Sequence, residues 1–339
     1  MFSLISRTTT FRQLKALDMV ARLGSVSRAA EELNLTQPAV SLQIRLLEEA
    51  VGAGVLQRVG RGVQLTAAGE ILARYAREIL QLWIEAGDEV AALKGDLGGT
   101  LRIGAITTAE YLIPPILVKF TETRPHVKIY FKVGNREDII RMLATHEIDL
   151  AVMGSPPKEL RTNAAEFAKH PMAFVAAPGH PLMRRKRLSL KDLESANLLV
   201  RERGAGTRAT VESLFKVSGL KFHIGSELSS NEAIKQMAEA GLGVAFLSLH
   251  ACALELRTGL LAQLPFAGNP IVREWYVVTL ADRRLSQAAG LFRDFMVERG
   301  AHVIDGAKAS PDRRRKAVPA LSKSTSGIHP VRKSTNVGD

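Results

Sequence analysis

The stretch "SRAAEELNLTQPAVSLQIRLLEE", Ser27 to Glu49, reads as helix at both ends and breaks at "NLTQP" between them. Ser27 stands where an N-cap is wanted, Ala29, Ala30 and Leu33 give a short buried face, and Asn34 suits the left-handed residue that ends a helix. Thr36 then caps a new helix, in which Pro38 is tolerated because first-turn N–H groups have no intrahelical acceptor. Val40, Ile44 and Leu47 fall on one side of it, leaving Gln37, Pro38, Ser41, Leu42 and Arg45 on or near the other. Two short helices joined by a tight corner, the second polar outside, make a helix-turn-helix that fits a DNA major groove, although any three-helix bundle can contain such a corner.

Upstream, Phe11, Leu14, Leu17, Met19, Val20 and Leu23 predict a first helix that stops at Gly24. Downstream, "LQRVGRGVQLT", Leu56 to Thr66, is a glycine-containing hairpin between β-formers, a wing whose Arg58 and Arg61 are placed to meet phosphates or a minor groove. Residues 1–65 therefore read as a winged helix-turn-helix DNA-binding domain. From 66 to 94 no proline intervenes, and Leu72, Ala76, Ile79, Trp83, Ala86, Val90 and Leu93 step by 4, 3, 4, 3, 4 and 3. This heptad seam predicts a linker helix of roughly 43 Å that pairs with a second copy. A two-fold dimer in turn implies an inverted-repeat site on double-stranded DNA. "GDLGG", Gly95 to Gly99, ends the rod.

After Thr100 the pattern alternates between strand and helix. "TLRIGAI", "VKIYFKV" and "IDLAVMG" read as strands, and "IPPILVKF" and "EDIIRML" as helices. A second set follows, with strands near Phe174, Leu198 and Val244, helices near Val211 and Ile234, then "REWYVVTL" and a helix around Phe292 and Phe295. The class is α/β with a mostly parallel sheet. Such sheets bind ligands beyond the carboxyl ends of their strands, where helix N-termini offer free N–H groups to anions. Four strand-to-helix corners qualify: Thr107–Thr108, Gly134–Asn135, Gly204 to Thr207, and Ser230–Asn231. Any one polar residue there is better explained as a helix cap, so the argument rests on their convergence. Candidate effector contacts are Thr107, Thr108, Asn135, Ser155, Arg201, Arg203, Gly204, Gly206, Thr207 and Asn231, and the expected effector is an anion, phosphorylated by preference. "GAGTRA", Gly204 to Ala209, matches a dinucleotide fingerprint literally, but it does not open a two-halved nucleotide fold and is read as an anion loop.

Composition sets the limits around these motifs. The chain of 339 residues is 46% hydrophobic, enough for two or three cored domains. Its net charge of +12 favours a polyanionic partner. Between 301 and 339 eight basic residues face three acidic ones, so +5 of that charge sits in a basic tail expected to be disordered. One cysteine, Cys252, excludes an internal disulfide and any cysteine-based zinc cluster, and reads as a small buried residue. With no signal-peptide pattern and no apolar run near 18 residues, a cytoplasmic protein without a membrane segment is expected.

Residues 11–69, with the opening stretch and then "GRGVQLTAAGE", closely resemble the LysR-type transcriptional regulators, and the resemblance continues to about Arg299. It implies that the helix after Thr36 is the recognition helix and that Ser27, Thr36, Gln37, Pro38, Ser41, Leu42, Arg45, Arg58 and Arg61 meet DNA. Leu42 stands where many members carry arginine, so a bidentate guanine contact gives way to an apolar one. Gly54 and Leu56 likewise replace the usual arginine and phenylalanine. The resemblance also implies a two-lobed effector domain like a periplasmic binding protein, over 100–299. Its lobe I would be 100–171 with 270–299, and lobe II 172–269. It further implies a homodimer that assembles to a homotetramer and contacts RNA polymerase. "GNREDIIRML", "DLAVMGSPP", "APGHPL", "RERGAGTR" and "SNEAIKQMAEAGLGVAFLS" look most like the CbbR branch, which regulates carbon-fixation (RuBisCO) operons. That branch implies a phosphorylated metabolite or NADPH as effector, with no other cofactor and no metal. Ser155 stands where the branch usually has arginine, and Arg203 with Ala205 where it has proline and serine.

A hydrolase or dehydrogenase is the rival of another class. The chain lacks G-x-S-x-G, H-E-x-x-H and the P-loop pattern, and its one near Ser/His pair, Ser248 and His250, reads as exposed loop. A solute-binding transport component fits the α/β part and leaves the first 94 residues unexplained.

Overall fold

The computed structural model describes residues 9–60, 62–93 and 98–309; residues 1–8, Arg61, residues 94–97 and residues 310–339, and with them the Arg61 contact and most of the basic tail, lie outside the described residues. The first helix, α1 (Phe11–Leu23), starts in a capping box. Thr10 accepts from Gln13 N–H, and Gln13 Oε1 accepts from Thr10 N–H at 2.7 Å. Gly24 ends it with φ 61, a left-handed value that glycine adopts without strain. The second helix, α2 (Val26–Glu32), is capped by Ser25 and not by Ser27. Ser25 has the extended backbone that lets its Oγ reach Arg28 N–H at 3.3 Å, whereas Ser27 lies inside the helix. The corner itself is as read: Asn34 takes φ 53, and Thr36 caps α3 (Gln37–Val51) by accepting from Ala39 N–H. Leu17, Val20, Ala29, Val40, Ile44 and Leu47 form the core of this head.

Strands β1 (Leu56–Val59) and β2 (Gly62–Leu65) pair antiparallel as the wing. Glu48 ties it to α3 by accepting from Val55 and Leu56 N–H at 2.8 and 3.3 Å. Helix α4 (Ala67–Leu93) is the rod, 27 residues or about 40 Å long. The seam needs a correction at its start. Ala76 is buried at 1% exposure and so is not open to a partner, and Leu72 is half-buried against the head core. The open apolar face instead begins at Ile71 and Tyr75 and runs through Ile79, Leu82, Trp83 and Val90. Helical period alone cannot say which of two adjacent stripes the chain keeps for itself. Ala86 is exposed on the same rod.

The effector domain is built on one nine-stranded sheet. Its strands are β3 (Thr100–Ile106), β4 (Lys128–Gly134), β5 (Leu150–Met153), β6 (Thr162–Ala176), β7 (Asn197–Arg201), β8 (His223–Leu228), β9 (Val244–Ser248), β10 (Ala262–Gln263) and β11 (Ile271–Leu280). The order is β4-β3-β5-β11-β6-β9-β7-β8, with β10 beside β6. The pairs around β3 and β7 are parallel, but β5/β11, β11/β6, β6/β9 and β10/β6 are antiparallel, so the sheet is mixed and not mostly parallel. Antiparallel pairing enters because β6 and β11, 15 and 10 residues long, pass from one lobe to the other side by side.

The helices are α5 (Ile113–Thr123), α6 (Arg136–Ala144), α7 (Gly206–Val217), α8 (Asn231–Glu239), α9 (Ala253–Thr258) and α10 (Gln287–Ala309). Lobe I packs around Trp275, Phe120 and Phe292, and lobe II around Phe174, Phe215 and Phe246. Helix α10 continues past Arg299, so residues 301–309 belong to the helix and not to the basic tail. Ile304, at 5% exposure in the lobe I core, is what carries the helix on. No helix among the described residues is long and apolar enough to cross a membrane.

Candidate functional site: a cleft between two lobes, and a polar helix face

On α3 the face away from the head core is polar and open. Gln37, Pro38, Leu42 and Arg45 are exposed and Ser41 is half-buried. Gln37 Nε2 donates to Ser41 Oγ at 3.0 Å, and Arg45 lies 3.7 Å from Glu49, an exposed pair one turn on. Arg58 is exposed on the wing.

The second site lies where β6 and β11 cross between lobes. A cavity of about 40 Å³ is lined by Thr107, Thr108, Asn135, Ser155, Arg201, Gly206 and Thr207, seven of the ten residues expected from the sequence. Gly204 lines an adjoining open groove of about 510 Å³. Asn231 stands one layer behind, accepting from Arg201 Nη1 at 2.7 Å. Arg203 is exposed and borders neither space, because the chain turns outward at Gly204, φ 88.

Four charged or polar groups in the cavity were not legible: Arg136, His170, Glu202 and Arg273. Arg136 follows the cap Asn135, and its Nη1 and Nη2 donate to the carbonyls of Ser155 and Pro156 at 2.8 and 3.2 Å. It brings a guanidinium to the place where Ser155 brings none, and its position beside the expected corner was the signal to follow. His170 and Arg273 sit in β6 and β11, strands from which no site residue was expected. They meet because β6 and β11 pair in that register.

Electrostatics favour an anion. Three lining guanidinium groups, Arg136, Arg201 and Arg273, face one lining carboxylate, Glu202, leaving two positive charges. Arg201, 3% exposed, spends Nε and Nη2 on Glu202 at 2.7 Å each. Helix α7 starts at Ala205 with no side-chain cap, and Gly206 and Thr207 of its first turn line the cavity. Its first N–H groups therefore lack the acceptor that a serine or threonine cap supplies, and an anion is the natural substitute. His170 is held neutral, its imidazole pushed down to about 3 by burial, then by His250 and by Arg273.

Lobe-to-lobe bonds border the cleft. Arg201 Nη1 donates to Thr107 Oγ1 at 3.1 Å, Tyr111 Oη to Glu232 Oε1 at 2.6 Å, and Arg273 Nη1 to Thr210 Oγ1 at 2.6 Å. On the far side of lobe I, Arg283 Nη2 bridges Asp149 at the foot of β5, 3.1 Å away, and Glu85 of the rod, 2.8 Å away. The cleft and the rod are thus joined through one lobe.

Ser248 and His250 are buried and not exposed loop. Ser248 Oγ accepts from the His250 backbone N–H, and Trp275 Nε1 donates to His250 Nδ1 at 3.1 Å, so the pair serves packing. Cys252 is fully buried, its thiol pushed up to about 12 chiefly by burial. Among the described residues no group of three His, Cys, Asp or Glu is placed to hold a metal.

Residues 11–70 match the model of the bacterial regulatory helix-turn-helix proteins of the lysR family, and residues 94–301 the LysR substrate binding domain. A RuBisCO operon transcriptional regulator of Allochromatium vinosum is 38% identical over 87% of this chain and 97% of its own length. A transcriptional regulator CbbR of Rhodospirillum rubrum is 44% identical over 82% of this chain and 92% of its own length. Among solved structures, the Synechocystis CcmR regulatory domain in complex with 2-PG is 35% identical with a TM-score of 0.56, over 59% of this chain and 96% of that one.

Proposed function

The chain belongs to the LysR family of DNA-binding transcriptional regulators, and from that premise we propose that it controls carbon-fixation operons in response to a small phosphorylated anion closed between its lobes. The observation that carries the ligand class is the two-charge surplus around a cavity that also receives the uncapped start of α7. The relatives named for RuBisCO operon regulation and for CbbR support the target, and CcmR, bound to 2-PG, supports the ligand class. The protein is a regulator and not an enzyme.

The mechanism is a shift between arrangements. An anion that bridges Arg201 of lobe II and Arg136 of lobe I favours the closed cleft, and closure moves lobe I, which Arg283 ties to the rod. Two rods pair along the face from Ile71 to Val90 and hold two heads over an inverted repeat; two such dimers form the tetramer that bends DNA and meets RNA polymerase in the cytoplasm. No cofactor beyond the effector is needed for any of these steps. Ligand-induced movement is a binding-energy difference between the two arrangements, so a ligand that fits both equally moves nothing.

The test is a mobility-shift titration of the full chain on its own upstream DNA at fixed salt, with and without ribulose 1,5-bisphosphate, phosphoenolpyruvate, 2-PG and NADPH. Salt is held constant because phosphate contacts make affinity steeply salt-dependent. One of these ligands is expected to shift the specific complex; specific binding that none of them alters removes the carbon-fixation reading and leaves the regulator. In the same assay Ser41→Ala and Arg45→Ala are expected to weaken operator binding about 5- to 100-fold, and binding to random DNA far less, since base-edge contacts carry about 1–3 kcal/mol of discrimination. Equal losses on both DNAs mean that α3 presents a different face to the groove.

A further inference from the structure

His170 occupies the floor of the cleft, 3% exposed, and neither of its ring nitrogens has a partner within the protein. Buried polar groups left without partners are costly and therefore uncommon, which makes such a group in a ligand cavity a group waiting for a ligand. Two more stand nearby: Thr207 Oγ1, on the cavity wall, and Asn231 Nδ2, on the side chain that supports Arg201. The ring is held in place. It stacks on Trp275 at 3.8 Å between centroids, with 18° between planes, and Trp275 is itself fixed by its bond to His250. Both nitrogens are buried, and Gly154 leaves beside Nδ1 the room a side chain would take, since a Cβ there would lie 3.2 Å from that nitrogen.

We propose that His170 is the residue by which the cleft chooses among anions, its imidazole hydrogen-bonding a hydroxyl that the ligand carries. This rests on the reading of the cleft as a phosphorylated-anion site. The charge of the ligand is already served elsewhere, by the three guanidinium groups and the first turn of α7. What His170 adds is a neutral ring with one N–H donor and one lone-pair acceptor. A dianionic phosphate has no proton to give to the lone-pair nitrogen, whereas a hydroxyl donates and accepts and can serve either edge. A site built to bond a hydroxyl rejects the analogue that lacks it, because the protein's own polar atoms are then left unpaired. The ligand class is therefore a small phosphorylated anion with a free hydroxyl.

The experiment is calorimetric titration of the full chain with two matched pairs that differ only by a hydroxyl: 3-phosphoglycerate against 3-phosphooxypropionate, and propane-1,2-diol 1-phosphate against propyl phosphate. The wild-type chain is expected to favour the hydroxylated member of at least one pair by about tenfold or more. In His170→Phe that preference disappears while the deoxy member binds within twofold of wild type. The ligand-free melting temperature of this variant is not lowered, because a phenyl ring keeps the stack on Trp275 and removes two buried nitrogens. His170→Asn, which restores a donor and an acceptor, recovers part of the preference. A wild type that ignores the hydroxyl in both pairs, or a His170→Phe that keeps the preference or loses both members equally, overturns the assignment and leaves the anion site standing. Binding of none of the four by wild type overturns the anion reading and the assignment with it.

Discussion

Arg201→Met lowers the affinity of the cleft for its phosphorylated ligand by about 100- to 1,000-fold. The guanidinium is 3% exposed and holds Glu202 with two nitrogens, Asn231 with a third at 2.7 Å, and Thr107 of the opposite lobe at 3.1 Å. Taking it away removes a charge aimed at the ligand and leaves Glu202, already on the cavity wall, as an uncompensated negative charge. Truncating one partner of a buried, hydrogen-bonded charge pair at a binding site costs about 2–5 kcal/mol, and each 1.4 kcal/mol is about tenfold in affinity, so the expected loss lies within that range. Arg203→Met is the control: two residues away, exposed and bordering neither cavity nor groove, it is expected to change affinity less than about twofold by the solvent-screening argument for surface charges. Titration of both variants with the ligand found in the mobility-shift series measures the contrast. Equal effects would mean that general positive charge, and not the placement of Arg201, holds the ligand.

Arg283→Met destabilises the fold by about 3 kcal/mol at neutral pH and by clearly less near pH 4–5, a contrast set by the carboxyl it leaves behind. The Asp149 side chain is 1% exposed, accepts from Arg102 N–H at 2.9 Å and pairs with Arg283 at 3.1 Å. Burial raises its pKa above the usual carboxylate value, and the Arg102 N–H and the Arg283 charge oppose that rise. A folded-state value above the unfolded one means that the native state binds more protons between the two, so stability falls as pH rises through that window. Without Arg283 the window extends upward, and the loss is largest where the carboxyl must ionise in place. Denaturant titrations at pH 7 and pH 5 measure the difference. Asp149→Asn in the same background should remove most of it, and an unchanged pH dependence would show that Asp149 is not the group responsible. The same variant frees Glu85 of the rod, so its response to ligand on DNA should weaken even where folding is intact.

The amino-acid sequence by itself determined what is local. The corner at Asn34 and Thr36, the stop at Gly24, the rod without proline and the strand-to-helix corners depend on backbone conformations and first-turn hydrogen bonds that a few adjacent residues settle. Seven of the cleft residues were reachable for the same reason, since a parallel sheet carries its strand ends to one edge. Even locally, choices among equivalent residues stayed open: Ser25 and Ser27 both suit a cap, and only the backbone angles of the folded chain select Ser25.

The tertiary structure decided what depends on which surfaces meet. Leu72 packs on the head core and Ala76 is buried within the chain itself, and a heptad period is the same whichever stripe is taken. Ile304 draws α10 nine residues beyond the expected boundary because lobe I offers it a core. His170 and Arg273 are about a hundred residues apart and face each other only through the register of β6 with β11. Long-range strand pairing fixes those side chains in one cavity, and no spacing within the chain records it, because register is a property of two strands and not of either one.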